Sequence, residues 1–242
     1  MEILVIIGIR SGSVGLKHKN IKDFCGYPLF YWVLSQALKA SKVDRVVIST
    51  DSPEYVRLIK LYHSDIILRP SHIAGSLSTD YEYLAHTLEH LKVHEGYIPD
   101  LVIRSVVTNP FQLSKDFDAC VNLLLTNLSF DSVQVVTKIN PCRNKLLQFG
   151  LDDCNILSIR SEDPTHEAIE PLPRQLDIQY LYKRSNLIAT RISCFDKDNI
   201  SFCGSKIAGI EIPSWRGYDI DTEHDFLTCR LLMTYYLENG LF

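Results

Sequence analysis

The sequence predicts an α/β protein in which a mostly parallel sheet is covered by helices on both faces, giving three layers. Three observations carry this reading. Short apolar runs rich in β-branched residues alternate with longer segments of helical periodicity. The first run, Ile3-Leu4-Val5-Ile6-Ile7, is continuous rather than alternating, as suits a strand buried on both faces. It breaks at once into glycines and cations, and ligands in such folds gather at the carboxyl ends of the strands.

Local signals place the elements in order. Gly26-Tyr27-Pro28 opens a helix with Pro28 in its first turn and Leu29, Phe30, Val33, Leu34, Ala37 and Leu38 along one face. Arg45–Thr50 reads as the next strand, Asp51 stands just past its end, and Ser52-Pro53-Glu54 caps another helix. Ile66-Ile67-Leu68 is a short third strand. The helix after it turns Tyr81, Leu84, Ala85, Leu88 and Leu91 inward, which leaves His86, His90 and His94 on a solvated polar face rather than in a metal stripe. Leu101-Val102-Ile103 begins a fourth strand, Ser114 caps a helix running to Leu125, and residues 132–136 form a fifth strand. Between about residues 140 and 182 the periodicity fails and Pro141, Pro164, Pro171 and Pro173 collect, marking an excursion of the kind used as a lid or partner-binding arm. Apolar runs return at Leu187-Ile188-Ala189 and Ile207–Ile212, and a final helix from about Thr222 carries Phe226, Leu227, Leu231 and Leu232 as its apolar positions. Residues 1–242 read as one domain with this arm inserted in it.

Composition narrows the function. A chain of 242 residues with 46% hydrophobic and 22% charged residues is a globular protein with a sizeable core. A formal net charge of -4 argues against a nucleic-acid binder working through a broad basic face. Neither a basic n-region nor an apolar run of membrane-spanning length is visible, so no membrane association is expected. The seven cysteines show no CxxC pair and read as free thiols in a cytoplasmic protein.

The chemistry concentrates at the two ends of the chain. In the opening loop Gly8, Gly12 and Gly15 let the backbone turn sharply and bring its N–H groups to a ligand, with Ser11 and Ser13 between them. Arg10, Lys17 and Lys19 add positive charge, so an anion such as a nucleoside triphosphate suits the loop. The pattern is neither GxxxxGK[ST] nor GxGxxG. Near the other end, Asp219-Ile220-Asp221 puts two carboxylates on one side of an extended chain, a donor set for Mg²⁺; the competing reading is helix capping, with Thr222 as the N-cap and Glu223 and Asp225 favouring the first turn. Arg69, Arg174 and Arg184 lie in or beside loops, where phosphate or carboxylate recognition is open to them.

On the run IRSGSVGLKHKN, followed in order by KNIKDFCGYPL, DRVVISTD, ILRPSHIA, TNPF, PRQL and DIDTEHDF, the chain resembles the nucleotidyltransferases that activate acidic sugars with CTP. These are the CMP-sialic acid synthetases and their relatives for pseudaminic acid, legionaminic acid and 3-deoxy-manno-octulosonate. The resemblance implies a Rossmann-like α/β/α nucleotidyltransferase fold with a projecting dimerisation arm, a homodimer, and Mg²⁺ on Asp219 and Asp221. It implies that Arg10 and Lys19 hold the triphosphate and that Asn20 and Arg69 seat the nucleotide. Thr108 and Asn109, with Arg184 and Asn186, would face the sugar, and Arg143 and Arg174 would reach a neighbouring subunit's sugar from the arm. The implied reaction transfers CMP from CTP to the anomeric hydroxyl and releases pyrophosphate.

The chain also departs from that pattern. The usual SKG is Ser13-Val14-Gly15, so one lysine is missing and Lys17 is expected to reach back in its place. In the QPTSPLR region, Val106 and Gln112 stand where glutamine and arginine are usual, and RxNG becomes Arg184-Ser185-Asn186-Leu187. These departures motivate an alternative, a nucleotide-binding regulator or inactive paralogue that kept the fold, and a further one, a different sugar acid.

Overall fold

The opening apolar run forms β1 (Ile3–Ile9), with Leu4, Val5, Ile6 and Ile7 fully buried. The computed structural model describes residues 1–13, 15–138, 149–151, 157–159, 182–195 and 202–240. Strands follow as β2 (Asp23–Phe24), β3 (Tyr27–Pro28), β4 (Arg45–Thr50), β5 (Ile66–Leu68), β6 (Leu101–Val106), β7 (Ser132–Lys138), β8 (Phe149–Leu151), β9 (Leu157–Ile159), β10 (Tyr182–Arg191) and β11 (Ile207–Ile212). The helices are α1 (Leu29–Lys39), α2 (Pro53–Ile59), α3 (Asp80–Glu95), α4 (Ser114–Thr126) and α5 (Glu223–Glu238).

Seven strands form one sheet in the order β11-β7-β10-β6-β1-β4-β5. Every pairing in it is parallel except those of β10, which runs antiparallel to both β6 and β7. The alternating sides of β1 enter different cores, as a strand's period of two requires. Ile3, Val5, Ile7 and Ile9 pack with Leu29, Val33, Phe117 and Phe226 from α1, α4 and α5, whereas Leu4 and Ile6 pack with Tyr83, Leu84, Leu88 and Leu91 of α3. The three layers expected from the sequence are therefore present. Each of these fully buried aliphatic side chains contributes about 1.5–3 kcal/mol of transfer free energy, which is why β1 holds the centre.

The structure corrects several local readings. α1 begins at Leu29, because Tyr27–Pro28 pairs with Asp23–Phe24 instead. Cys25 and Gly26 at the tip both take positive φ, 53° and 87°, as a tight two-residue hairpin turn requires. On α3 the inward residues are Tyr83, Leu84, Thr87, Leu88 and Leu91, with Tyr81 and Ala85 only half-buried. The helix is rotated so that Tyr83 lies over Gly8, where an added Cβ would sit 2.8 Å from the ring. The three histidines stack along α3 with ring centroids 6.4 and 4.4 Å apart, and His86 and His90 are half-buried rather than fully solvated. On α4 the cap is not Ser114: the Asp116 carboxylate accepts the Leu113 N–H at 2.8 Å. α5 buries Phe226, Cys229 and Met233, leaving Leu227 and Leu231 at 44% and 72% exposure. Five cysteines, Cys25, Cys120, Cys194, Cys203 and Cys229, are free thiols. Among the described residues, no helix is long and apolar enough to cross a membrane.

Candidate nucleotide cleft and adjoining cavity

The carboxyl ends of β1 and β6 open onto a cleft of about 560 Å³. The opening loop forms one wall through Gly8, Arg10, Ser13, Gly15, Lys19 and Asn20; Arg69 and the segment before α3 form another; Val106, Val107, Thr108, Asp221 and Thr222 close the third. This volume is in the range of small-molecule sites.

Buried polar contacts shape the loop. Ser11 gives both its N–H and its hydroxyl to the Asp51 carboxylate, at 2.8 and 2.6 Å, which staples the loop to the end of β4. Asn20 Nδ2 donates to the Arg10 carbonyl at 2.9 Å. Lys19, only 8% exposed, donates to the Ile220 carbonyl and to Asp221 Oδ1, the latter at 3.2 Å. An ammonium has three donors, so Lys19 fastens the two ends of the chain together with one donor left over. Gly15 makes that closeness possible, since a Cβ there would lie 2.3 Å from the Asp221 carbonyl oxygen.

Arg69 is the most unusual group in the cleft. It is 5% exposed, its Nε and Nη1 are buried without a partner, and its guanidinium lies 5.0 Å from the Tyr83 ring centroid. Burial pulls the guanidinium below its ordinary value, with nearby Asp51 opposing. The same burial, aided by Asp80, pushes the Tyr83 phenol up to about 12. Arg10 reaches across the cleft, its Nη1 donating to the Gly75 carbonyl at 3.1 Å.

Thr79 and Asp80 separate this cleft from a second cavity of about 460 Å³, which they also line. Its floor is a row across the sheet: Ile188 of β10 stands opposite Arg104 of β6 on one side and Gln134 of β7 on the other. Arg184, Ser185 and Asn186 complete it. Arg104 lies 2.5 Å from an Asp80 oxygen, and its Nε is buried without a partner.

The acids near the far end divide between cavities. Asp221 lines the nucleotide cleft; Asp219 lines another cavity beside Lys183, Tyr218 and His224, and its Oδ1 is buried without a partner. Thr222 caps α5, and the Asp225 carboxylate accepts from the Thr222 N–H and hydroxyl at 2.8 and 2.7 Å. Ile220 between the two acids is fully buried, and its N–H donates to the Thr108 carbonyl at 2.8 Å. The two carboxylates therefore do not line one pocket as their alternate spacing predicted; the orphaned Asp219 oxygen is the feature of this segment that fits a hard cation, whose shell would be completed by phosphate and water. Among the described residues no group of three or more His, Cys, Asp and Glu is placed to hold a metal ion.

Other predicted residues fall elsewhere. Ser11, Gly12 and Lys17 do not line the cleft: Ser11 is spent on Asp51, and Lys17 is exposed to solvent beside position 14, which itself lies outside the described residues. Asn109 is fully buried; its Nδ2 donates to Ser185 Oγ at 3.0 Å and its Oδ1 accepts from the Phe111 N–H at 3.2 Å, so it presents no atom to either cavity. Gln112 is an internal brace between Ser105, Val106 and Asn109. Arg143, Arg174 and most of the 140–182 arm lie outside the described residues. Sequence reasoning missed Asp51 in its stapling role, Tyr83, Arg104 and Gln134. The lone signal for Asp51 was its place just past a strand end.

A family model described as cytidylyltransferase matches residues 4–154, more than half of the chain. N-acylneuraminate cytidylyltransferase of Escherichia coli is 29% identical over 157 residues, which are 65% of this chain and 36% of that protein. A Helicobacter pylori protein named pseudaminic acid cytidylyltransferase and UDP-2,4-diacetamido-2,4,6-trideoxy-beta-L-altropyranose hydrolase is 35% identical over 96 residues, covering 39% of this chain and 19% of its own length. 3-deoxy-manno-octulosonate cytidylyltransferase of Aliivibrio salmonicida is 32% identical over 121 residues, 45% of this chain and 46% of that one. This chain thus spans less than half the length of each of these relatives. A solved structure of CMP:2-keto-3-deoxy-manno-octonic acid synthetase complexed with CTP superposes with a TM-score of 0.73 over 97% of this chain and 99% of its own, at 16% identity. For 4-diphosphocytidyl-2C-methyl-D-erythritol synthase from Anaerococcus prevotii the TM-score is 0.61 over 96% and 98%, at 14% identity. At such identities the likeness is one of fold. The matched region includes the opening loop, Arg69, Tyr83 and Thr108, which together make most of the cleft. The chain belongs to the cytidylyltransferase family.

Proposed function

We propose that this chain transfers CMP from CTP to the anomeric hydroxyl of an acidic 2-keto sugar and releases pyrophosphate. The observation that carries the reading is Arg69, a buried guanidinium with two unpartnered nitrogens in the cleft wall, near Arg10 and Lys19. A buried charge without a partner is costly, and a nucleoside polyphosphate supplies the missing acceptors. Membership of the family supports CTP as that nucleotide. The relatives' names divide among sialic, pseudaminic and octulosonic acids, so the acid common to all of them is the part assigned here.

The second cavity is the seat we assign to the sugar. Arg104 and Arg184 offer a carboxylate two guanidinium groups, Asn186 offers an amide, and the shared wall at Thr79 and Asp80 sets the sugar beside the nucleotide. In the transfer the sugar hydroxyl oxygen attacks the α-phosphorus, the bond from that phosphorus to the bridging oxygen breaks, and the hydroxyl proton is lost. Arg10 and Lys19 offset the charge that grows on the leaving pyrophosphate, and the segment pinned by Ile220 keeps Asp221 at the rim. Asp219 and Asp221 would hold Mg²⁺. Bound there, the ion would offset phosphate charge and make the sugar hydroxyl more acidic. A homodimer, with Arg143 and Arg174 serving the partner's site, belongs to the same proposal and is tested by sedimentation.

The test is a panel of sugar acids with CTP and Mg²⁺, read by pyrophosphate release, beside calorimetric CTP binding to Arg69→Met. Losing this charge-assisted contact should weaken CTP binding by roughly ten- to a hundredfold, from about 1.5–3 kcal/mol. Unchanged CTP affinity in the variant sinks the assignment of the cleft. CTP binding by the wild type with no pyrophosphate release from any acid would instead favour the regulatory reading that the replacements at Val106 and Gln112 motivate.

A further inference from the structure

The Arg184 and Asn186 side chains are presented by an irregularity in β10, and its support comes from Gln134, in the floor of the same cavity, and from Asn109, which lines neither cavity. In the pairing of β10 with β7, Arg184 stands opposite Val136 and Ile188 opposite Gln134. Four residue steps on one strand therefore face two on the other, so β10 carries two extra residues at this point. A bulge of this kind removes carbonyls from the ladder and leaves them in need of donors. Here the donor is a side chain. Gln134, 5% exposed, directs Nε2 to the carbonyls of Ser185 at 2.6 Å and Leu187 at 2.8 Å, with Val135 at 3.1 Å. From the β6 side, Asn109 Nδ2 donates to the Ser185 hydroxyl at 3.0 Å. Asn109 is itself immobilised, because the Phe111 N–H donates to its Oδ1 and Gln112 Nε2 donates to its backbone carbonyl at 3.0 Å.

We infer that Gln134 and Asn109 are positioning residues: they grip Ser185 from two sides and so set the bulge that aims Arg184 and Asn186 into the second cavity. The inference rests on the reading of that cavity as the seat of the acidic sugar. A bulge gripped at one residue holds its two neighbours at a fixed spacing, and a bidentate contact with a carboxylate depends on such spacing. The CTP cleft lies on the far side of Thr79 and Asp80 and does not use these contacts. The two substrates should therefore respond differently.

The test is Gln134→Met, which keeps the length and removes the donors, with Ser185→Ala as a milder second variant. Two measurements are made on each. Hydrogen–deuterium exchange of the free protein should quicken in peptides covering residues 183–188 and stay unchanged in β1 and β4. With N-acetylneuraminate or 3-deoxy-manno-octulosonate, whichever the wild type turns over, the sugar KM should rise about tenfold in Gln134→Met, the factor expected from stranding buried acceptors, while the CTP KM stays within about twofold. Unaltered exchange at residues 183–188 in both variants overturns the clamp. Parallel rises in sugar and CTP KM overturn the positioning role, since a general loss of structure would produce them. If Gln134→Met does not fold, Ser185→Ala must show the same split on a smaller scale, and its absence is equally decisive. Should the wild type turn over neither sugar, the clamp is judged by calorimetric binding of the same two acids. Binding about tenfold weaker in Gln134→Met upholds it; equal binding, or none to the wild type, overturns it.

Discussion

Replacing Gly15 by alanine tests whether the two ends of the chain must meet for the cleft to work. No positive φ is involved here; the glycine is needed for space. An added Cβ would stand 2.3 Å from the Asp221 carbonyl oxygen, where ordinary contact begins near 3.4 Å, so the loop and the Asp219-Ile220-Asp221 segment must part by roughly 1 Å. The obstacle is backbone, which has no rotamer to change. Because Gly15 lies in an exposed part of the loop, outward movement can absorb most of the clash, and the stability cost should fall at the low end for overpacking, about 1 kcal/mol. Catalysis has no such relief. Parting the segments stretches the Lys19 contacts to Ile220 and Asp221, and a misplacement of about 1 Å is enough to cost on the order of a hundredfold in rate. The assay is pyrophosphate release with CTP varied at saturating sugar acid and Mg²⁺, beside thermal melting by circular dichroism. Gly12→Ala is the comparison, since nothing lies within 4 Å of a Cβ there, and it should lose far less. A Gly15→Ala enzyme with kcat/KM within twofold of wild type would refute the argument that this close approach is required.

Arg216 donates to both oxygens of the buried Asp116 carboxylate and, at 3.0 Å, to the Phe111 carbonyl. Arg216→Met leaves that carboxylate buried without its cation and should cost about 3–5 kcal/mol, read as a fall in the urea midpoint; a change under about 1 kcal/mol would show that water replaces the pair. Asp225 is held below its ordinary carboxylate range, chiefly by the Thr222 hydroxyl. Its folded-state value is depressed, so the stabilisation is complete above the unfolded-state value and is lost as pH falls through the folded one. Asp225→Ala should therefore cost about 1 kcal/mol at neutral pH and progressively less in acid, so thermal melts of variant and wild type should converge there. A gap that persists undiminished in acid would locate the effect in packing instead.

The sequence pattern reveals some of this and hides the rest for identifiable reasons. β1 is readable because a strand covered on both faces is apolar at every position, and Thr222 is readable because capping chemistry is local. The rotation of α3 is not, since Tyr81 and Tyr83 are equally good apolar candidates until Gly8 is known to lie beneath the latter. The direction of β10 is hidden in the same way: an apolar run is the same forwards and backwards. In the site, Arg10, Lys19 and Arg69 stand out as cations beside glycines or strand ends, and all three line the cleft. Asn109 looks like a ligand contact because it sits in a polar turn, yet its amide is consumed within the fold. Arg104 and Gln134 are single polar residues inside strands. Their meaning comes only from register, which sets both beside Ile188.

The reversed direction of β10 bears on how little the sheet demands of the chain between it and β7. β7 ends at Lys138 on the rim where the cavities open, and because β10 is antiparallel it begins on that same rim, with Tyr182 directly opposite Lys138. Whatever chain joins the two leaves and re-enters the sheet through one adjacent pair of residues. A parallel strand would have forced a crossover to the far edge, binding the length of the intervening segment to the depth of the sheet. Here the sheet places no such demand. The strand order, both cores and the nucleotide cleft are set by residues outside 139–181, so the sheet fixes only the two points, Lys138 and Tyr182, between which that interval must run.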